Sequence, residues 1–259
     1  MKNVVQRMRF LTSVNFFVIV VLTTILSFNF LDVFIFEASR SMHGVFFSFF
    51  KNIIDPLSDL LDPLNIIILC LIIILANLNI DLLLKNETKL NLLKKKMGFD
   101  LKKIKSTFSY STLICKHIVF SLILAGVVCN VLKYIIGVSR PKYFFLEGFE
   151  RIDFFNLNHK MNSLPSGHTQ AAFTIAVLLI IYLNRYTISI LIVASLMGIS
   201  RIFMSMHFPS DIIFGAYVGS IFPMLLFKVY FKKRLDKFNK DNLMKLREFP
   251  KLMYWRIFI

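Results

Sequence analysis

The sequence predicts an all-α fold: a polytopic bundle of six transmembrane helices, with an interfacial helical segment between helices 1 and 2. Three observations predict it. First, 56% of the 259 residues are hydrophobic, 29 of them Phe, and the mean hydropathy is +0.67. A soluble domain of this size carries more polar surface than that. Second, several apolar runs approach the about 20 residues that cross a bilayer at ~1.5 Å per residue. Third, Lys and Arg crowd into alternate loops, the pattern that fixes the orientation of a membrane protein.

The N-terminus, "MKNVVQRMRFLTSVNFFVIVVLTTILSF", resembles a signal peptide. Its apolar run is longer than the core of such a peptide and lacks a small-residue cleavage site, so it reads as a retained first helix, about Leu11 to Leu31. The second span covers about Leu64 to Leu84 and the third about Lys116 to Ile136. The fourth covers about His168 to Leu183, the fifth Thr187 to Met206 and the sixth Ile212 to Tyr230. Between the first two, "FEASRSMHGVFFSFFKNIIDPLSDLLDP" is too short and too polar to span. Its helical periodicity suits the membrane interface. No repeat divides the chain, which reads as one domain over residues 1–259, with a core over about 116–230 and a basic tail over about 231–259.

With the N-terminus in the cytoplasm, the inside segments hold 22 of the 31 Lys and Arg. Both termini are then cytoplasmic, and the loops after helices 1 and 3 lie outside, which in a bacterial inner membrane is the periplasm. The net charge of +16 is spent on this asymmetry, so it points to a bilayer and not to nucleic acid. The basic loop 85–105 and the tail read as solvated anchors, or as contacts with anionic headgroups. Lys116 and His117 open the third helix on the cytoplasmic side, where they can snorkel. Cys70, Cys115 and Cys129 lie in or beside apolar runs and show neither a disulfide framework nor a zinc spacing.

Polar groups at membrane depth are costly, and six fall at one face. Lys133 and Arg140 end the third helix and His168 opens the fourth. Arg201 ends the fifth, and His207 and Asp211 flank the start of the sixth. A helix N-terminus binds anions through its unpaired N–H groups. In "PSGH", Ser166 can cap the helix and Gly167 lets a ligand approach the backbone. Three cations at that level suit a phosphate group, although charge alone also admits a carboxylate or sulfate. Asp211, four residues after His207, can fix the imidazole tautomer and free its other nitrogen to attack. His168 can then protonate a leaving alkoxide.

These residues match three motifs: "KYIIGVSRP" from Lys133, "PSGH" from Pro165 and "SRIFMSMHFPSD" from Ser200 to Asp211. The chain therefore resembles the type 2 phosphatidic acid phosphatase family, with all defined positions filled and all spacings kept. The resemblance implies a six-helix membrane phosphatase that needs neither metal nor other cofactor. By that likeness Lys133, Arg140, Ser166, Gly167 and Arg201 bind phosphate. His207 forms a phosphohistidine, Asp211 orients it and His168 protonates the leaving group. The expected partner is a phospholipid or other lipid phosphate in the bilayer. Lipid A or undecaprenyl pyrophosphate is the leading substrate, with phosphatidylglycerol phosphate or phosphatidic acid as alternatives. The stretch "GVSRPKYFFLEGF" resembles bacterial lipid A phosphatases of that family. The motifs recur in vanadium haloperoxidases, whose soluble character this chain does not share. A membrane protein that binds phosphate without catalysis is the alternative of another class.

Overall fold

A computed structural model describes residues 6, 8–42, 44–78 and 86–258. Parts of the N-terminal segment and the end of the second expected span, from residue 79, lie outside them. Among the described residues the protein is helical, with one isolated antiparallel bridge, Val138 to Ile152, and no strand. We number the helices α1 (Val14–Ser41), α2 (Gly44–Leu78), α3 (Glu87–Met97), α4 (Leu101–Ile136), α5 (Pro141–Glu147), α6 (Gly167–Leu183), α7 (Thr187–Phe203), α8 (Pro209–Leu235) and α9 (Phe249–Phe258). Four of them, α1, α2, α4 and α8, are long and apolar enough to cross a membrane, which makes this an integral membrane protein. Helices α6 and α7 are apolar but have 17 residues each.

Several elements extend past their sequence-based bounds. Helix α1 continues beyond Leu31 to Ser41. Asp32, expected at its end, is instead buried and satisfied. It accepts hydrogen bonds from Ser27 Oγ (3.1 Å), Ser210 N (2.9 Å) and Ser210 Oγ (2.6 Å), and pairs with Arg151. A paired carboxylate gives the helix no reason to stop there. The segment expected to be interfacial is helical, and it runs into the second apolar stretch with a break at Leu61–Asp62. Helix α4 starts at Leu101, so its 36 residues reach ~54 Å, more than the about 30 Å hydrocarbon layer.

The chain divides into two compact units. One comprises Met1–Pro63 with Ser121–Leu225, the other Leu64–Phe120 with Leu226–Ile259. In the first, α6 and α7 form a hairpin whose turn has Asn184 and Tyr186 at positive φ. Ala172 and Ala176 of α6 pack on Ala194 and Met197 of α7, and Phe50 of α2 stacks on Phe203 at 4.3 Å. Arg40 donates to the last carbonyls of α7, Ile202 O (2.7 Å) and Phe203 O (2.6 Å), as cations do at helix C-termini.

Helices α6 and α8 approach closely because α8 presents glycines. A Cβ on Gly219 would lie 2.2 Å from Gln170 O, and one on Gly215 2.7 Å from Ser166 O. Pro223 lies inside α8 and has no N–H to give the carbonyl four residues back. That carbonyl, Gly219 O, takes a hydrogen bond from Thr174 Oγ1 at 3.0 Å.

In the second unit the basic loop and tail are folded, not solvated strings. Asn86 caps α3, its side chain accepting from Lys89 N at 3.2 Å, and Gly98 ends it at φ +69°. Leu93, Met97, Ile104 and Phe108 form a core with Met244 and Leu252 of the tail. Lys96 lies 4.6 Å from the Trp255 ring centroid. His117 does not snorkel: it is fully buried, its ring 4.5 Å from that of Phe231.

Gly219→Ala is expected to lower the thermal unfolding midpoint in detergent, at a cost of about 1–3 kcal/mol or more, because its new methyl meets backbone. Gly126→Ala, whose Cβ would meet nothing within 4 Å, is expected to leave the midpoint level or raise it. Equal midpoints for both variants would contradict the close α6–α8 contact.

Candidate active site

The site is built where three chain segments meet within the first unit. After α4, Gly137 turns the backbone at φ +59°. A Cβ there would fall 1.7 Å from Asp153 O, so only glycine fits. Residues 138–140 then lie between two other stretches of the same loop. Ser139 N donates to Arg151 O (3.2 Å), Arg140 N to Lys160 O (3.1 Å) and Ser163 N to Val138 O (2.9 Å). This fixes Arg140 beside Asn162, whose Oδ1 accepts from its guanidinium at 2.9 Å. Lys133 Nζ donates to Asn162 O at 2.8 Å.

The second segment is the start of α6. Ser166 caps it, accepting from Thr169 N at 3.4 Å and from Thr169 Oγ1 at 2.9 Å. Lys133 reaches over this end of the helix: its Cε is 3.9 Å from where a Cβ on Gly167 would stand. The third segment runs from Arg201 through the loop to the first turn of α8. Met206 N and His207 N both donate to Arg201 O (3.0 and 3.2 Å). Ser166 N donates to Asp211 O at 2.9 Å, which locks the two helix starts together.

His207 and Asp211 meet as their spacing predicts, with Nδ1 3.4 Å from Oδ2. A third group stands between them. Ser163 Oγ is 2.5 Å from Asp211 Oδ2 and 3.2 Å from His207 Nδ1. Its hydroxyl proton goes to the carboxylate, so its oxygen is left to accept from the imidazole. That puts the proton on Nδ1 and leaves the lone pair on Nε2. Phe208 N also donates to Asp211 Oδ2, at 2.8 Å. Burial, and after it the charges of Lys133, Arg140, Arg201 and His168, holds the His207 imidazole well below its ordinary range. His207 is therefore neutral at neutral pH.

Lys133, Arg140 and Arg201 are buried together, as are Ser166, His207 and Asp211, whereas His168 is exposed. Arg140 Nε and Arg201 Nε have no hydrogen-bond partner among the described residues. Buried donors of this kind are costly unless an acceptor meets them. A tetrahedral oxyanion presents several acceptors at once, and this is the chemistry the donor set fits.

All eight residues singled out from the sequence lie around this junction. Four others did not stand out there. Ser163 lies in the same "SLPSGH" run, yet only folding brings it to His207. Asn162 joins two of the cations. Asp55 pairs with Arg201 across 146 positions, and Asp32 with Arg151 across 119. No local pattern announces pairs so distant.

Residues 115–235 match the model of the PAP2 superfamily. A lipid A 1-phosphatase of Rhizobium johnstonii is 28% identical over 116 residues, covering 45% of this chain and 48% of that protein. One from Rhizobium etli is 28% identical over 138 residues, covering 52% and 60%. The bacitracin transport permease protein BcrC of Bacillus licheniformis is 31% identical over 108 residues, covering 40% and 52%. The chain thus spans about half the length of these relatives. No solved structure matches. The stretch that matches the PAP2 superfamily model contains Lys133, Arg140, His168, Arg201, His207 and Asp211, so the likeness covers all six of these residues.

Proposed function

We propose that this protein is a lipid-phosphate phosphatase working through a phosphohistidine without a metal ion. The observation that carries the reading is the chain His207–Ser163–Asp211, set among three buried cations. Arg140, Arg201, Lys133 and the α6 N-terminus with Ser166 and Gly167 would hold the phosphate oxygens. His207 Nε2 would attack phosphorus as the bond to the leaving oxygen breaks, and His168 would give that oxygen a proton. In the second half, His168 would take a proton from water, the water oxygen would bond to phosphorus, and the P–N bond would break to release phosphate. Ser163 and Asp211 would stabilise the Nδ1–H of His207 as positive charge develops on the ring.

The same proposal covers the membrane arrangement. Helices α6 and α7 would join the four long helices as a six-helix bundle, with the whole chain acting as one domain and the segment before Pro63 lying along the interface. The Lys and Arg bias supports cytoplasmic termini and a site at the outer face, where a lipid presents its phosphate from the bilayer. The named activity of the two Rhizobium relatives supports lipid A as a substrate. Undecaprenyl pyrophosphate, phosphatidylglycerol phosphate and phosphatidic acid are the competitors.

Purified protein is expected to release phosphate from at least one of these four lipids. His207→Ala is expected to abolish turnover while keeping the wild-type unfolding profile, and turnover in that variant would sink the assignment. His168→Ala is expected to lose about 10²–10⁴-fold in kcat. Activity should persist in EDTA; loss that a divalent ion restores would rule out the metal-free scheme. The depressed His207 keeps its lone pair as pH falls through 6.5. Its acid limb in kcat/KM, which reports the free enzyme, is therefore expected below pH 6.5. A limb above 6.5 traced to His207 by substitution would contradict its burial among cations.

A further inference from the structure

Two buried carboxylates lie close together behind His207: Asp32 of α1 and Asp211 of α8, each 0% exposed. They are near enough to act on each other electrostatically. Neighbouring acids in a poorly polar surround resist ionising together. Yet the site needs Asp211 as an anion. Only an anion draws the Ser163 hydroxyl proton to itself and leaves the Ser163 oxygen to accept from His207 Nδ1.

Arg151 stands where it can reconcile the two. Its Nη2 pairs with Asp32 Oδ2, and its guanidinium carbon lies 3.6 Å from the Phe208 ring centroid. Phe208 N in turn donates to Asp211 Oδ2 at 2.8 Å, and Asp32 holds Ser210 by its N–H and its hydroxyl. Arg151 is thus tied to Phe208 directly and to Ser210 through Asp32, one residue on each side of the stretch that leads into Asp211. Arg151 Nη1 and Asp211 Oδ1, a donor and an acceptor, have no hydrogen-bond partner among the described residues. Lys133 and Arg140 also act on Asp211, but both belong to the proposed phosphate cradle. Arg151 acts on it more strongly than Lys133 does, and no motif includes it.

We infer that Arg151 is a positioning residue for the reaction: shared between Asp32 and Asp211, its charge keeps Asp211 ionised and so holds His207 as the Nδ1–H tautomer, with Nε2 free to attack. The inference rests on the proposed role of His207 as nucleophile. Without the guanidinium charge, Asp211 gains a proton. A neutral carboxyl no longer draws the Ser163 proton, so Ser163 can donate to Nδ1. The imidazole proton then sits on Nε2, where the attacking lone pair is lost. The groups that hold phosphate are unchanged, so the loss falls on kcat and not on KM. Asp32 plays the opposite part, because it supplies the negative charge that Arg151 must offset. A mere brace would make the two members of the pair equivalent; charge sharing does not.

The test measures phosphate release from lipid A 1-phosphate and phosphatidic acid by the full chain in one detergent, with the unfolding midpoint of each variant recorded. Arg151→Met keeps the bulk over Phe208 and removes the charge. It is expected to lower kcat about 10–100-fold with KM nearly unchanged, as loss of a group that supports a working histidine does. Arg151→Lys is expected to keep most of the activity. Asp32→Asn is expected to lose far less than Arg151→Met, and to restore part of kcat when added to it. Should Arg151→Met not fold, Arg151→Gln, which keeps a donor for Asp32, makes the same comparison. Equal losses in Arg151→Met and Asp32→Asn would reduce the pair to a brace and overturn the inference. Arg151→Lys no better than Arg151→Met would overturn it too, as would a loss confined to KM, which would make Arg151 a substrate ligand. A second readout needs no turnover: the nitrogen NMR spectrum of the His207 ring, assigned by its absence in His207→Asn. Wild type is expected to show the Nδ1–H form and Arg151→Met a shift toward Nε2–H; an unchanged tautomer would overturn the inference. No release by well-folded wild type would overturn the phosphatase reading, while the tautomer would still decide the role of Arg151.

Discussion

The first turns of α6 and α8 are held together by one backbone hydrogen bond, Ser166 N to Asp211 O, and the rest of the site depends on that contact. It is possible only because α8 offers no Cβ at Gly215 and Gly219 where the backbone of α6 passes. Packing of small residues is the usual way for helices in a lipid environment to approach so closely. Here the approach also brings two motifs, far apart in sequence, within side-chain reach. Ser163 precedes one helix and Asp211 opens the other, and their 2.5 Å contact holds the Ser163 oxygen 3.2 Å from His207 Nδ1, which orients the imidazole.

Charge sets the second constraint. Three buried cations and one buried imidazole are brought close, and like charges in a poorly polar surround repel. The protein offsets this locally. Asn162 meets Lys133 through its carbonyl and Arg140 through its carboxamide, and Asp55 pairs with Arg201. Asp211, which accepts from Ser163 and Phe208 through Oδ2, adds a second negative charge, so two carboxylates face three cations. The result is a cluster with a surplus of donors, which is the property an anion site requires.

The N-terminal third carries no motif, yet it braces the junction. Asp32 in α1 takes both the N–H and the hydroxyl of Ser210, the residue just before Asp211. Its partner Arg151 lies over Phe208, with its guanidinium carbon 3.6 Å from the ring centroid. Arg40 closes the end of α7, which carries Arg201. A carboxylate at what reads as a helix end thus becomes a buried part of the scaffold, and the half-buried Arg151 of the loop and Ser210 give it the partners that make its burial tolerable.

Residue type and spacing alone determined much of this protein. Long apolar runs require helices, because backbone groups in lipid must pair within their own segment. Lys133, Arg140, His168, Arg201, His207 and Asp211 stood out because each is costly at membrane depth. Sequence also paired His207 with Asp211, since the four-residue interval is a local property. Only the tertiary structure decided that Ser163 would stand between them, that Asp32 would be buried against Ser210 and Arg151, and that the basic loop and tail would share a core. Those outcomes rest on contacts between residues tens to hundreds of positions apart. Such contacts are set by how helices pack, and no periodicity or local spacing encodes them.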